Sequence, residues 1–111
     1  MKRALVIVGG WAHPAELTGP PTAEALESLG LRVDLVTTMD AGAAVLTSEG
    51  TDLLVVHTCR FLMLDARYNE AQRAEFRYHT PGSVRDAITA HVAAGRPVLA
   101  MHTAPLCFDD W

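Results

Sequence analysis

The apolar stretch Ala4–Val8, with the sequence ALVIV, decides the fold that we expect for this chain. It is short, continuous and rich in β-branched residues, and it ends in the glycine pair Gly9 and Gly10. Three further runs have the same character, and they lie at Leu31–Val36, Leu53–His57 and Pro97–Met101. Continuous rather than alternating apolar runs are typical of strands buried on both faces of a parallel sheet. The four runs therefore predict a parallel sheet.

The segments between these runs have helical character. Ser83–Ala94 has the clearest pattern, because Ser83 and Asp86 have the spacing of a capping box and Gly95 closes the helix. The remaining predicted helices are Thr22–Leu29, Ala43–Leu46 and Asn69–Tyr78. Strands and helices that alternate in this way, joined by right-handed crossovers, predict an α/β fold with strand order 2-1-3-4.

Length and composition limit the classes of function. The 111 residues are enough for one domain, and 50% hydrophobic with 20% charged residues favour a folded chain. The net charge of −4 excludes a generic basic surface for nucleic acid. The apolar runs are too short to span a bilayer. We therefore expect neither nucleic acid nor membrane as a partner.

The cysteines and the N-terminus indicate a compartment. Cys59 and Cys107 do not form a metal-binding pattern, and Gly9-Gly10-Trp11 stands where an export signal would have a cleavage site. Without an export signal, a disulfide is not expected. The sequence thus favours a cytoplasmic protein whose cysteines are small buried hydrophobes.

Candidate site residues follow three of the predicted strands. In open α/β sheets, ligands bind beyond the carboxyl ends of the strands. We therefore expect His13, His57 and His102 to share one crevice as catalytic groups. The predicted substrate-binding residues are their neighbours Gly10, Trp11, Thr58 and Thr103. Each histidine has a structural alternative, a ring held by backbone hydrogen bonds, and Trp11 either stacks on a sugar ring or covers the end of the sheet.

Two stretches carry a resemblance to a known family. Ala4–Trp11 with His13, and Ala93–Ala104 with its terminal histidine, resemble the ThuA-like (trehalose-utilisation) family, with support from Asp52–Val56. That family belongs to the class I glutamine amidotransferase-like superfamily, so the resemblance implies a three-layer, flavodoxin-like fold and a role in carbohydrate metabolism. Because family members continue well past the position of Trp111, we expect residues 1–111 to be the N-terminal portion of a ThuA-like domain.

The same resemblance argues against glutamine hydrolysis. Glutaminases of this superfamily place a nucleophilic cysteine directly after the strand that Pro97–Met101 matches, whereas this chain has His102 there. An imidazole cannot form the thioester intermediate. At the start of a following helix it would instead stay neutral and serve as an acid–base group. The predicted partner is a sugar-like small molecule, with association into a homo-oligomer left open.

Three alternatives accompany this hypothesis. A non-catalytic binding module, or a truncated inactive domain, would keep the crevice but perform no reaction. Zinc held by the three strand-end histidines is chemically sensible, but their spacing does not support it, so no metal and no cofactor is predicted. Asp109, Asp110 and Arg60 are interpreted as solvated surface groups.

Overall fold

A computed structural model describes residues 1–48 and 50–111 of the chain. Strands and helices alternate along most of it. In chain order they are β1 (Arg3–Gly10), α1 (Ala15–Ser28), β2 (Arg32–Val36), α2 (Met39–Ser48), β3 (Leu53–Cys59), α3 (Glu70–Phe76), α4 (Gly82–Ala93) and β4 (Val98–Ala100), followed by a 3-10 turn at Ala104–Leu106.

The strands form one parallel sheet in the order β2-β1-β3-β4. In the middle of the sheet Val6 lies beside Val55, and Val55 lies beside Leu99. The predicted α/β class and strand order are confirmed, and the arrangement is flavodoxin-like. The reason is the crossover rule, because right-handed connections allow few other routes for four parallel strands.

Helices cover both faces of the sheet and create three layers. On one face α1 packs against β1 and β2, near Val6, Val8 and Val55. On the other face α2 and α4 enclose the larger core, which includes Leu5 and Ile7. Side chains of a strand alternate between faces, so neighbouring apolar residues of β1 enter different cores. This explains why β1 is apolar without interruption.

The first helix is longer at its N-terminal end than the sequence predicted. Helix α1 begins at Ala15 rather than Thr22 and includes Pro20 and Pro21. Its Gly19 is buried, and a Cβ there would lie 3.1 Å from the Leu35 side chain. Close approach of the helix to the sheet therefore explains a glycine in this position, and no local pattern reports it.

The capping box lies at a different helix from the one that the sequence predicted. Pro81 precedes α4 and makes no side-chain cap, so the capping box expected at Ser83 and Asp86 is wrong. A capping box does occur at α3, where Asn69 and Gln72 bond to each other's backbone amides. Since Gly82 already belongs to α4, Ser83 lies too far into the helix to be its cap.

The prediction that β4 is buried on both faces is also wrong. Val98 is 41% exposed and Leu99 is 46% exposed. For Leu99 the reason is that α1 lies over β1 and β2, which leaves the same face uncovered beside β3 and β4. Val98 lies on the other face, where the core under α2 and α4 is built on β1 and β3. None of the helices in the described part of the chain is long and apolar enough to cross a membrane.

Candidate functional site: a cluster of three histidines

Three imidazole rings lie together at the carboxyl edge of the sheet. The ring centre of His13 is 5.6 Å from that of His102 and 6.4 Å from that of His57. His57 belongs to β3, while His13 and His102 follow β1 and β4. Because parallel strands end at the same edge, residues far apart in sequence meet there. The structure thus brings together the three predicted catalytic residues.

The glycine pair at the end of β1 shapes the loop that carries His13. Gly9 and Gly10 have φ angles of 100° and 97°, which L-residues with side chains rarely adopt. A Cβ on Gly10 would overlap with the carbonyl group of Cys59. The next amide, that of Trp11, donates a hydrogen bond to this same carbonyl over 2.8 Å. Gly10 is therefore needed for close backbone approach, and its predicted contact with substrate is not tested.

A backbone carbonyl orients His13. The Nδ1 atom lies 2.7 Å from the carbonyl oxygen of Trp11, which can only accept a hydrogen bond. Nδ1 therefore carries the proton, and in the neutral ring Nε2 has a free lone pair. This nitrogen is available to accept a proton or a hydrogen bond from a ligand.

A threonine of α1 orients His57 in a similar way. The Thr22 hydroxyl donates to the carbonyl of Thr18 over 2.8 Å and lies 3.2 Å from Nδ1 of His57. With its proton already committed, the hydroxyl accepts from Nδ1–H. His57 thus also presents an unprotonated Nε2. Thr22 is a site residue that the sequence analysis missed, since nothing local relates it to a histidine 35 positions away.

The surroundings of His57 favour its neutral form. Burial is the largest cause that lowers its pKa from the usual 6.5, and the charges that His13 and His102 can carry lower it further. His57 is half-buried at the end of a core strand. Near neutral pH it is therefore an uncharged base.

His102 has a different local setting from the one expected. It is exposed, and only the 3-10 turn Ala104–Leu106 follows it. The argument that a helix N-terminus keeps this ring neutral is therefore wrong, because a single short turn does not have the aligned peptide dipoles of an α-helix. Its proximity to His13 is what places it in the cluster.

Two predicted substrate-binding residues have buried hydroxyl groups. Thr58 is fully buried, and its hydroxyl donates to the carbonyl of Gly9 over 2.7 Å, which ties β3 to β1. It is not accessible to a substrate in this structure, so the prediction for Thr58 is corrected. The hydroxyl of Thr103 is buried too, and none of the described residues gives it a hydrogen-bond partner.

Trp11 packs among aromatic rings. Its ring centre is 5.6 Å from those of Tyr68 and Phe76, both edge-on. The two contacts join the loop after β1 to the segment that contains α3. Of the two alternatives, covering the end of the sheet describes these contacts, while stacking on a sugar stays a prediction.

Three polar residues outside the cluster form hydrogen bonds that the sequence did not predict. Arg60 is half-buried and donates to the carbonyl of Thr37 over 2.7 Å. Asp109 accepts from the amide of Leu62 over 3.1 Å. Asp110 accepts from the amide and the hydroxyl of Thr80, each over 2.8 Å. Asp109 is exposed, as predicted, whereas Arg60 and Asp110 are half-buried and held by partners far away in the sequence, so the prediction that these two are solvated surface groups is wrong.

Both cysteines have free thiols and are buried, in agreement with the sequence analysis. The thiol of Cys107 donates to the carbonyl of Thr58 and accepts from the amide of Arg60, each over 3.3 Å. Burial raises the pKa of this thiol, which disfavours the nucleophilic thiolate.

The geometry does not amount to a metal centre. Within residues 1–48 and 50–111, no group of three His, Cys, Asp or Glu side chains is placed so that it could hold a metal ion. The arrangement supports proton transfer and hydrogen bonding by the rings themselves.

Comparison with known proteins found no matching family model, no matching curated protein and no matching solved structure. The resemblance to the ThuA-like family therefore stays a prediction.

Proposed function

We propose that this chain is a ThuA-like, cytoplasmic protein of carbohydrate metabolism whose three-histidine cluster performs acid–base chemistry on a sugar or keto-sugar. The observation that carries the proposal is the spacing of the rings, 5.6 Å from His13 to His102 and 6.4 Å from His13 to His57. A hydroxyl or carbonyl group that enters the cluster meets more than one imidazole. One ring can then accept a proton while another donates one.

The surroundings of the three rings support a different role for each. His57 is the base, since it is neutral and its Nε2 lone pair is free while Nδ1 bonds to Thr22. His13 is held at Nδ1 by the carbonyl of Trp11 and presents a second acceptor for a ligand hydroxyl. His102, the exposed ring, returns a proton to the ligand or exchanges it with solvent.

The chemistry of the cluster favours a neutral, hydroxyl-bearing ligand. None of the three rings has a permanent charge, so the cluster lacks the guanidinium or ammonium group that commonly recognises phosphate or carboxylate. Neutral imidazoles both accept and donate hydrogen bonds, as sugar hydroxyls do. A sugar, or a sugar with one hydroxyl oxidised to a ketone, fits this pattern.

Glutamine hydrolysis remains outside the proposal. The superfamily's nucleophile position, two residues after the end of β4, holds His102. Cys107 does not replace it, because its thiol is buried and hydrogen-bonded to backbone groups of β3 and the residue after it. Both observations argue against a thioester route.

A non-catalytic sugar-binding module is the second candidate. It is favoured by the partners of His13 and His57, which are a carbonyl and a hydroxyl rather than carboxylates. A carboxylate partner would strengthen an imidazole as a base and stabilise its protonated form. Rings without one are still suited to bind hydroxyl groups.

Turnover of a panel of sugars and keto-sugars, followed by NMR of substrate and product, tests the proposal. We expect His102→Ala to lower kcat by about 10²–10⁴-fold, the usual contribution of an acid–base group. The control is His79→Ala, which removes an exposed imidazole outside the cluster and should leave kcat unchanged. Full activity in His102→Ala would contradict the catalytic role, and ligand binding without turnover by the unmodified protein would favour the binding module.

A further inference from the structure

The turn from Gly10 to His13 has an unfavourable backbone conformation. The amide of His13 donates to the carbonyl of Gly10 over 3.3 Å, which closes a β-turn. The third residue of this turn, Ala12, has a φ of 55°, in the left-handed region that favours glycine. An alanine in this conformation costs free energy, so contacts with the surroundings must keep the turn in this form.

The ring of His13 depends on this turn. The carbonyl oxygen of Trp11, the second residue of the turn, lies 2.7 Å from Nδ1 of His13. The hydrogen bond at one nitrogen of an imidazole decides which nitrogen carries the proton. If the turn rearranged, the carbonyl would move away and Nε2 could hold the proton instead. The conformation of the turn therefore decides whether His13 offers a lone pair or an N–H group to a ligand.

Trp11 is held from two sides. Its amide donates to the carbonyl of Cys59 at the end of β3 over 2.8 Å. Its ring lies edge-on to the rings of Tyr68 and Phe76, with 5.6 Å between ring centres in each pair. Such pairs stabilise a structure by more than the burial of their apolar area. The aromatic contacts are thus a substantial part of what keeps Trp11 in place.

The two rings that contact Trp11 belong to the segment 61–78, which is itself firmly held. The amide of Tyr78 donates to the carbonyl of Phe61 over 3.0 Å and joins the two ends of the segment. Within it, Arg73 donates to the carbonyl of Met63 over 2.8 Å, and the Met63 side chain is fully buried. The segment therefore gives Trp11 a fixed surface to pack against.

We propose that Tyr68 and Phe76 are positioning residues for His13. Their rings hold Trp11, and Trp11 places the carbonyl that keeps the proton of His13 on Nδ1 and leaves Nε2 free as an acceptor. When these contacts are removed, less opposes the strain at Ala12, and the turn populates other conformations. The expected effect on turnover rests on the proposed function, whereas the effect on the His13 ring does not.

Multiple-bond ¹H–¹⁵N NMR spectra of the histidine rings at about pH 8, where an imidazole is neutral, test the proposal. The signals of His13 are identified by their loss in His13→Gln. In the unmodified protein we expect His13 to be protonated at Nδ1. Tyr68→Ala should shift the signals towards the tautomer protonated at Nε2, because the carbonyl is no longer fixed. Turnover should fall by up to about 10²-fold, the usual effect of a displaced catalytic group.

Phe76→Ala is an independent second variant. Helix α3, to which Phe76 belongs, buries none of its residues, so this substitution should leave the fold intact. It removes one of the two rings that hold Trp11, and we expect the same change in the tautomer of His13.

Two matched variants separate the aromatic contact from other effects. Tyr68→Phe keeps the ring and should leave His13 protonated at Nδ1. Leu64→Ala, which removes a side chain of the same segment that is 70% exposed, should do the same. An unchanged His13 ring in both Tyr68→Ala and Phe76→Ala, or an equal shift in either matched variant, would overturn the proposal. A shifted tautomer with unchanged turnover would support the positioning and contradict the catalytic role of His13.

Discussion

At the scale of single residues, Gly10 links the sheet to the histidine cluster. It ends β1 with a φ of 97° and passes so close to Cys59 that a Cβ would overlap with the carbonyl of that residue. The loop that follows carries His13. The backbone conformation at one position therefore decides where one of the three rings lies.

We expect Gly10→Ala to lower the free energy of unfolding by about 1–3 kcal/mol, the usual cost of one residue in a sparsely populated backbone region. Urea denaturation followed by circular dichroism measures it. Gly82→Ala is the control, because nothing lies within 4 Å of a Cβ there and the residue is in α4. That control should be neutral or stabilising, by up to about 1 kcal/mol. Equal stability of the two variants would contradict the argument.

The cluster also predicts how His57 titrates. Burial, and then the charges of His13 and His102, hold its pKa below 6.5. NMR titration of the ring carbons should show this, and His13→Gln should move the value back towards 6.5 because one repulsive charge is removed. The unfolded chain then binds a proton more readily than the folded one. The contribution of His57 to stability is therefore present above pH 6.5 and is lost as the pH falls towards its folded pKa. A His57 pKa at or above 6.5 would contradict the cluster geometry.

At the scale of elements, helices α3 and α4 are stabilised in different ways. Helix α3 buries none of its residues, so its stability depends on local interactions such as the Asn69–Gln72 capping box. Helix α4 contributes Val84 and Ala87 to the core and begins without a side-chain cap. Tertiary packing thus takes the place of a cap in α4.

Asn69→Ala is expected to cost about 1 kcal/mol, the usual effect of removing an N-cap side chain. The loss should be greatest in the amide protection of α3, measured by hydrogen exchange. Ser83→Ala provides the comparison, since that side chain occupies the position where the sequence predicted a cap and makes none. If Ser83→Ala were as costly as Asn69→Ala, the assignment of the caps would be wrong.

At the scale of the whole molecule, Asp110 joins the last residues of the chain to the segment before α4. Its carboxylate accepts two hydrogen bonds from Thr80 and lies 3.6 Å from Arg85. Burial alone would raise its pKa, but the hydrogen bonds from Thr80 and the charge of Arg85 lower it overall. The side chain therefore stabilises the fold in its charged form.

Asp110→Asn should reduce the free energy of unfolding by about 1.5–3 kcal/mol, the range for hydrogen bonds to a charged group. In the unmodified protein this contribution is complete above the ordinary carboxyl pKa of 3.8 and is lost as the pH falls below it, because the folded value is lower. Chemical denaturation at several pH values measures both effects. Asp86→Asn, an exposed carboxylate on α4, is the control and should change little.

How far the sequence alone predicts this protein depends on the range of the interactions involved. The apolar runs and the crossover rule determined the parallel sheet and its order, since both depend on local pattern and chain connectivity. The same topology placed three histidines at one edge of the sheet. Two of them follow β1 and β4, and the third lies near the end of β3. Strand-end position was enough for this, because neighbouring parallel strands end together.

Only the tertiary structure decided which groups surround those histidines and which strand is left open. Thr22 bonds to His57 across 35 positions and Asp110 bonds to Thr80 across 30, and no periodicity records such pairs. The exposure of β4 follows from where the helices lie on the two faces of the sheet, not from the composition of the strand. The physical reason is that hydrogen-bond partners and burial depend on distances in space, whereas propensity and pattern depend on neighbours along the chain.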